Sequence, residues 1–208
     1  MNAGQPSRVT IDPKTQTRAE NYHFLISAIV PRPIAWVSSR GGDGSTNLAP
    51  FSFFQGVCAD PPTLMISLAE RKSTGEFKDT LSNIRQSGEF VVNVVPEALA
   101  EPMIASSEEL PAGESEIERE ALSTFPGQRV QAPCIADSPV NLECRLVHQL
   151  PIGSCVVFFG EIVLAHVQGE LLDARQNIDP EKLRPLARMG GSFYLLYSHA
   201  IRFEARTE

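Results

Sequence analysis

Residues 31–56 read PRPIAWVSSRGGDGSTNLAPFSFFQG, and this stretch decides the fold that the sequence predicts. Residues 34–39 predict a strand. The Gly-rich run after them predicts a tight turn, because glycine adopts positive φ and Asp-Gly is a strong hairpin signal. Residues 46–57 predict a second extended segment, which Pro50 makes irregular or bulged. The stretch therefore predicts a hairpin of two strands rich in small residues.

Polar side chains interrupt this otherwise apolar hairpin at Ser38, Ser39, Asn47 and Ser52. A small residue such as Ala49 lets a backbone approach a flat ligand closely. Backbone N–H groups can then donate hydrogen bonds to the polar edge of that ligand. The alternative is a plain hairpin whose serines face water, and the pattern alone leaves both interpretations open.

A second candidate site follows the next predicted strand, residues 63–68. A loop with Arg71 and Lys72 leads from this strand into a predicted helix over residues 75–86. The free N–H groups and the dipole of a helix N-terminus both favour an anion. The junction therefore predicts a phosphate site formed by Ser67, Lys78 and Thr80. The alternative is an ordinary capped helix with a solvated charged face.

The rest of the chain predicts further strands separated by short helices. The expected strands cover residues 89–95, 139–150, 154–167 and a closing strand over 192–204, and the expected helices cover residues 19–29, 97–105, 115–122 and 180–187. Many strands with few short helices favour a closed β-barrel over a doubly wound α/β sheet. We expect a mainly β fold with a few short peripheral helices, as one domain over residues 19–208 after a flexible segment over residues 1–18.

Composition and charge exclude some classes of function. The 208 residues carry a net charge of −7, so a broad basic surface for nucleic acid is not expected. No apolar run is long enough to cross a bilayer, and the first residues lack the pattern of a secretory signal. We therefore expect a cytoplasmic protein with no membrane partner. The four cysteines have no CxxC spacing, which favours buried free thiols over a metal site or disulfides.

Several other polar residues are expected to be structural or solvated. The acidic stretch from Glu108 to Glu120 predicts a solvated, mobile segment. Glu143 and Glu161 lie in predicted strands, where we expect each to face water or to pair with an arginine. The histidines sit on separate elements without a carboxylate motif, so we expect packed or surface positions for all of them: His23, His148, His166 and His199.

Six runs of the chain resemble the flavin reductase-like family, whose members have an FMN-binding split-barrel fold. The runs are PRPIAWVSS, NLAPFSFFQGV, DPPTLMISL, KDTLSNI, GEFVVNVV and NLECRLV, and they follow in order between residues 22 and 197. The likeness points to the branch that contains flavoredoxin-like proteins. The chain departs from the pattern at Glu120-Ala121-Leu122, where relatives often have Ala-Gly-Leu after an acidic–aromatic pair; here Ile117 replaces the aromatic residue.

The resemblance implies a homodimer that binds FMN near the subunit interface. It implies that residues 47–53 lie along the flavin ring and ribityl chain, and that the KDT run with Asn83 one turn later holds the phosphate. The late run Arg188–Tyr194, RMGGSFY, also matches a family motif. The expected cofactor-binding residues are therefore Arg32, Ser38, Ser39, Asn47, Leu48, Ala49, Pro50, Ser52, Phe53, Ser67, Lys78, Asp79, Thr80, Asn83 and Arg188.

The resemblance further implies an FMN-dependent oxidoreductase. Hydride transfer from NADH or NADPH to a flavin needs no acid–base side chain, so we expect no catalytic dyad and no metal ligand. The leading hypothesis is an NAD(P)H-dependent flavin reductase. Alternatives are an electron carrier that holds FMN tightly and a non-enzymatic FMN-binding protein. The expected partners are a second copy of the chain, flavin and nicotinamide molecules, and a monooxygenase or other redox protein.

Overall fold

The computed structural model describes residues 7–69, 79–111 and 114–201 and is built mainly of β-strands. In chain order the strands are β1 (Arg32–Pro33), β2 (Ala35–Arg40), β3 (Thr46–Phe51), β4 (Phe54–Ala59), β5 (Pro62–Ala69), β6 (Glu89–Asn93), β7 (Thr124–Phe125), β8 (Cys134–Ile135), β9 (Val140–Ile152), β10 (Cys155–Val167), β11 (Ala187–Arg188) and β12 (Tyr194–Leu195).

Short helices lie at the periphery of these strands. The α-helices are α1 (Arg18–Ala28), α2 (Asp79–Ser87), α3 (Ala100–Ala105), α4 (Glu116–Arg119) and α5 (Pro180–Leu183), and single 3₁₀ turns cover Pro13–Thr15, Glu97–Leu99 and Gly169–Leu171. Helix α1 begins with a capping box, because the Thr17 hydroxyl accepts the Glu20 N–H while the Glu20 carboxylate accepts the Thr17 N–H. Within the described residues, no helix combines the length and apolar character that a membrane crossing needs.

Seven strands form one antiparallel sheet in the order β3-β2-β6-β9-β10-β5-β4. Strand β3 leads through Ser52 and Phe53 into β4, so the two ends of this order are joined by the chain. The Phe53 carbonyl also accepts the Ser67 N–H of β5 at 2.9 Å. The sheet therefore curls until its ends meet at one side, as a partly open barrel. Strands β1, β11 and β12 form a smaller sheet, and β7 pairs with β8.

The curled sheet encloses one core and carries a second core outside it. The inner core includes Val37, Phe51, Phe90 and Phe158, together with Leu81 and Ile84 of α2. The outer core includes Trp36, Leu48, Met103 and Ile117. Strands β2 and β3 contribute to both cores because successive side chains of a strand point to opposite faces. This double burial fixes the register of the hairpin.

A glycine marks the tightest approach inside the barrel. A Cβ atom built on Gly160 of β10 would overlap the ring of Phe90 on β6, which is fully buried. The two strands do not pair with each other, since β9 lies between them in the sheet. The ring of Phe90 therefore lies over β9 on the inner face of the curled sheet, and the absence of a side chain at Gly160 makes room for it.

Most predicted elements are confirmed, and the structure corrects the extent of two elements and the burial of one cysteine. Up to residue 201, the closing strand expected over residues 192–204 is limited to Tyr194–Leu195, which pairs with the two-residue strand β11, and residues 202–204 lie outside the described part of the chain. The helix expected over residues 180–187 ends at Leu183, since Arg184 adopts a left-handed conformation before Pro185. The helix expected over residues 19–29 is present as α1, and it buries Ile26 but leaves Tyr22, Leu25 and the following Ile29 exposed. Cys58 is exposed rather than buried.

Candidate functional site

The best candidate site is a pair of adjoining clefts at one end of the barrel. The larger has a volume of about 320 Å³ and lies between the β2–β3 turn and α2, lined by Gly41, Gly42, Asp43, Ser45, Thr46, Asn47, Asp79, Asn83, Gln86 and Glu114. The smaller has a volume of about 30 Å³ and is lined by Asn47, Ala49, Asp79, Thr80, Ser106, Ser107, Glu108, Glu109, Leu110 and Glu116. Asn47 and Asp79 belong to both, so they mark the junction.

Helix α2 is tied to the β2–β3 hairpin by side-chain hydrogen bonds. The Asn47 amide donates to the Thr80 hydroxyl at 2.8 Å, and Thr80 is 1% exposed. The Asn83 amide donates to the Ser39 hydroxyl at 3.2 Å. At the turn, the side-chain oxygen of Gln86 accepts the Gly42 N–H at 3.2 Å. These hydrogen bonds join the hairpin to α2 through pairs of residues that lie 33 or 44 positions apart in the sequence, and they thereby fix the two walls of the cleft relative to each other.

The described walls of the clefts are acidic. Asp43, Asp79 and Glu114 line the larger cleft, and no lysine or arginine lines it within the described ranges. Hydrogen bonds from the Ser45 side chain and N–H lower the pKa of Asp43, which keeps this carboxylate ionised. Lys78, the predicted phosphate ligand next to Asp79 in the sequence, falls outside the residues that the structure describes.

Glu116 is a buried carboxyl in the smaller cleft, and the sequence did not indicate it. Its Oε2 atom accepts the Leu48 N–H at 2.9 Å, and the neighbouring Ser115 hydroxyl lies 2.9 Å from that of Thr46. Burial raises the pKa of Glu116, and the Leu48 N–H opposes this shift only in part. The expectation of a fully solvated acidic stretch is therefore wrong around Ser115–Ile117, because these residues pack against β3.

The structure brings together six of the residues that the sequence predicted as cofactor contacts. Three of them lie on the hairpin and three on α2; they are Ser39, Asn47, Ala49, Asp79, Thr80 and Asn83. The side chain of Leu48 lies instead in the outer core, so only its backbone faces the site. Pro50 follows on β3 and pairs with Trp36 of β2.

Ser38 belongs to a buried polar network beneath the hairpin. Its hydroxyl donates to the Pro133 carbonyl and accepts from the Asn93 amide at 3.1 Å. The Asn93 side-chain oxygen in turn accepts the Ile135 N–H and the Asn141 amide, at 3.0 and 2.8 Å. Buried polar groups are costly when unpaired, so these bonds stabilise the strand order β2-β6-β9 and commit the Ser38 side chain to the fold.

The remaining predicted contacts gather in a second group, around Arg32. The Arg32 guanidinium donates to the carbonyls of Ile26, Ile29 and Met189 at 2.6 to 3.0 Å and to the Ser52 hydroxyl at 3.3 Å. It also lies 5.9 Å from the centre of the Phe53 ring. Arg188 pairs with Arg32 across the small sheet and stacks 4.3 Å from the Tyr194 ring. Ser67 is connected to this group by the hydrogen bond from its N–H to the Phe53 carbonyl.

A cluster of Cys134, Glu143 and His166 has donor atoms within 4.8 Å of one another, as in a metal site. The Glu143 carboxylate, however, already accepts the N–H groups of residues 128–130 and His166 Nε2, at 2.6 to 3.0 Å. Burial raises the pKa of the Cys134 thiol to about 12. The cluster therefore has a structural role, in which Glu143 holds the loop before β8 by hydrogen bonds. The expectation that Glu143 faces water or pairs with an arginine is therefore wrong.

Comparison with known proteins identifies the family of the chain. Residues 27–194 match the family model described as "Flavin reductase like domain". An uncharacterized protein from Aquifex aeolicus is 41% identical over 174 residues, which cover 84% of this chain and 88% of the relative.

Two solved structures share the fold. Nitrilotriacetate monooxygenase component B from Bacillus cereus has a TM-score of 0.91 and 31% identity, over 96% of this chain and 100% of that one. The 2-nitrobenzoate 2-nitroreductase NbaA of Pseudomonas fluorescens has a TM-score of 0.87 and 30% identity, over 96% and 97%. The predicted split-barrel fold class is confirmed. The chain belongs to the flavin reductase-like family, whose chemistry is flavin-linked oxidation and reduction.

Proposed function

We propose that the chain binds FMN non-covalently and acts as an NAD(P)H-dependent flavin reductase. The observation that carries the proposal is the junction of the two clefts at Asn47 and Asp79. There the hairpin assigned to the flavin ring is hydrogen-bonded to the helix assigned to the phosphate, through Asn47 and Thr80 at 2.8 Å. The family to which the chain belongs supports the same assignment.

The walls of the larger cleft suit a flat ring with a polar edge. Gly41 and Gly42 have no side chains, and Ala49 at the junction is small, so the backbone is open to close approach. Asn47 and Asn83 offer amide groups that can donate or accept. We propose that these residues, with Ser39 and the backbone of Leu48 and Pro50, hold the ring and the ribityl chain.

We place the FMN phosphate at the beginning of α2. A phosphate monoester carries nearly two negative charges at neutral pH, and burying them without partners would be very costly. The carboxylates along the described walls make a cation necessary. We assign Lys78 to this role together with Thr80, and we assign Asp79 to polar groups of the ligand other than its phosphate.

The second group of predicted contacts has a smaller part in the proposal. The side chains of Arg32 and Ser38 are committed to protein partners, so they would act by fixing the backbone near the ligand. Ser52, Phe53 and Ser67 lie at the bend where β3 continues into β4. We propose that this bend and Arg188 complete the flavin site on the side of the small sheet.

Bound FMN would supply the two-electron chemistry, accepting a hydride from NADH or NADPH and passing electrons to an acceptor. The side chains of the protein bind and orient the two ligands and exclude water from them. The proposal assigns no proton transfer to a side chain. This agrees with a site whose described polar groups are mainly amides, hydroxyls and carboxylates held by backbone N–H groups.

We also propose that the protein is a homodimer in the cytoplasm. Helix α1 and the loop before β12 are joined by Arg32, which contacts both Ile26 and Met189. This joined surface exposes large apolar side chains, with Ile29 58% and Phe193 75% exposed. Contiguous exposed apolar groups mark interaction sites, and the occupant that we propose is a second copy of the chain.

A second candidate function is an electron carrier that holds FMN tightly and exchanges electrons with protein partners. The similarity to nitrilotriacetate monooxygenase component B favours it, because a component works together with another protein. The proposed partner is a monooxygenase or another redox protein. A carrier and a reductase share the same flavin site and differ in what reduces the flavin.

Two measurements test these functions in order. Titration of the purified protein with FMN, followed by quenching of flavin fluorescence, should show saturable binding at micromolar protein, and its absence would contradict the whole proposal. When the FMN complex is mixed anaerobically with NADH or NADPH, the absorbance of the oxidised flavin should fall rapidly. Bleaching only by a reduced protein partner would favour the carrier instead.

A further inference from the structure

Glu116 is a buried carboxyl that contacts the strand proposed to hold the flavin. It is 6% exposed, and its Oε2 atom accepts the Leu48 N–H at 2.9 Å. Strand β3 is the terminal strand of the sheet order, so the Leu48 N–H points away from β2 towards a side without a paired strand. Glu116 therefore occupies the free edge of β3 at the position between Asn47 and Ala49.

The surroundings of this carboxyl are predominantly acidic. Asp79 of α2 and Glu108 and Glu109 of the segment after α3 line the same small cavity. The one described cation near Glu116, Arg119 of α4, is engaged with the carboxylates of Glu108 and Glu120 and with the Ala105 carbonyl. Burial raises the pKa of Glu116, Asp79 raises it further, and the Leu48 N–H and Arg119 lower it.

A carboxylate at this position acts differently on the two redox states of a neighbouring flavin. The oxidised ring is neutral, whereas the two-electron-reduced ring is anionic near neutral pH. Charges close to the ring are among the means by which proteins tune flavin electronics. A fixed negative charge raises the free energy of the anionic form and leaves the neutral form almost unchanged.

We propose that Glu116 is a redox-tuning residue, whose carboxyl on the edge of β3 weakens the binding of reduced FMN relative to oxidised FMN. This inference rests on the proposed binding of FMN at the Asn47–Asp79 junction. Its consequence is a flavin site that gives up electrons readily. That property suits either a reductase or a carrier, since both must pass electrons onward.

The test compares two substitutions with the same change in charge. Glu116→Gln removes the charge but keeps a side-chain oxygen that can accept the Leu48 N–H. Glu118→Gln does the same at an exposed position on the same helix. The dissociation constants of oxidised and of reduced FMN are measured anaerobically for both variants and the parent, and thermal unfolding without FMN checks that each variant is folded.

We expect the ratio of the oxidised to the reduced dissociation constant to rise about tenfold in Glu116→Gln. For a two-electron couple this is a rise in midpoint potential of about 30 mV. Glu118→Gln should stay close to the parent. The difference between the parent and Glu116→Gln should shrink from neutral to mildly acidic pH, because protonated Glu116 is as uncharged as glutamine. A purely structural role for Glu116 would not give this pH dependence.

The outcomes separate the inference from the proposed function. If FMN binds and Glu116→Gln leaves the ratio at the parent value, the inference is wrong and the proposed function stands. If the parent shows no saturable FMN binding, both are wrong. If Glu116→Gln fails to fold, the parent protein alone decides. Its ratio of the oxidised to the reduced FMN dissociation constant, which compares bound with free FMN, must fall as the pH rises through the mildly acidic range. A ratio that stays constant with pH overturns the inference.

Discussion

At the scale of single residues, the site depends on a few polar side chains with exact partners. The buried Thr80 hydroxyl accepts a hydrogen bond from the Asn47 amide, and the Asn83 amide donates one to the Ser39 hydroxyl. A buried donor that loses its acceptor costs more free energy than the hydrogen bond contributes when formed. Substitutions at these positions should therefore affect the stability of the protein and its ligand binding together.

Thr80→Val should destabilise the protein by about 1–3 kcal/mol, because valine has nearly the shape of threonine but leaves the Asn47 amide without its acceptor. The free energy of unfolding is measured in urea. Thr63→Val is the matched control: at the beginning of β5 the Thr63 hydroxyl donates an exposed hydrogen bond to the Pro61 carbonyl, and its loss should cost less than about 0.5 kcal/mol. Equal losses at the two positions would contradict the assigned importance of the Asn47–Thr80 bond.

Lys78→Ala should weaken FMN binding by roughly tenfold or more, because a charge-assisted bond to a phosphate contributes about 1.5–3 kcal/mol. Riboflavin lacks the phosphate, so its dissociation constant should change far less. The preference for FMN over riboflavin is therefore the informative quantity, with Lys14→Ala at an exposed position as the control. An unchanged preference in Lys78→Ala would show that another group binds the phosphate.

At the scale of elements, side chains hold loops and strands in place where backbone pairing ends. Glu143 of β9 accepts three consecutive backbone N–H groups of the loop before β8, and it also accepts the Nε2–H group of His166 of β10. Burial acts to raise the pKa of Glu143, but these hydrogen bonds outweigh it and lower the pKa. A carboxyl whose pKa is lowered by folding stabilises the protein at any pH above the ordinary pKa of a carboxyl. This stabilisation is lost as the pH falls through the lowered pKa.

Glu143→Gln should destabilise the protein by about 3 kcal/mol at neutral pH, because an amide cannot accept four N–H groups. The parent should also lose stability as the pH falls below the ordinary carboxyl range, and the variant should lack that part of the loss. Urea unfolding at a series of pH values measures both effects. The exposed Glu101→Gln provides the control, and a pH profile shared by the parent and Glu143→Gln would contradict the prediction.

Gly160→Ala should cost about 1–3 kcal/mol, because the new methyl group would overlap the buried ring of Phe90. Gly169→Ala is a suitable comparison, since a Cβ atom there meets nothing within 4 Å. Its effect on the free energy of unfolding should stay within about 0.5 kcal/mol. Similar unfolding midpoints for the two variants would mean that the interior of the barrel adapts more freely than the structure indicates.

The success of sequence-based prediction also varied from element to element. The hairpin over residues 31–56 was predictable because its turn residues, its small residues and its match to a family all agreed. The burial of Glu116 was not, because it depends on a free N–H at the edge of β3 that only the sheet order reveals. Up to residue 201, the closing strand is shorter than expected for a related reason: Phe193 and Leu195 are apolar, but β11 offers two residues for pairing.

At the scale of the whole molecule, one chain leaves considerable apolar surface uncovered. Besides Ile29 and Phe193, the exposed side chains include Val57 of β4 and Val147 and Ile152 of β9. Large exposed apolar areas are unusual on proteins that remain monomeric. The proposed second copy of the chain would cover part of this surface.

Light scattering should therefore give about twice the chain mass of 22.8 kDa. Phe193→Asp, which places a charge on the exposed loop next to α1, should shift the mass towards that of one chain as the protein is diluted. Val9→Asp is the control, because Val9 is 86% exposed in the N-terminal segment. A parent mass of 22.8 kDa with FMN bound would rule out the homodimer.

The free edge of β3 has a consequence beyond ligand binding. An uncovered strand edge is a template on which another chain can pair, and proteins protect such edges against aggregation. Here Glu116 occupies the N–H of Leu48, and Pro50, two residues further along the same edge, has no N–H to offer. The same carboxyl that is proposed to tune the flavin thus also occupies an N–H with which another strand could pair, and any redesign of this position for a different redox potential should preserve an acceptor for Leu48.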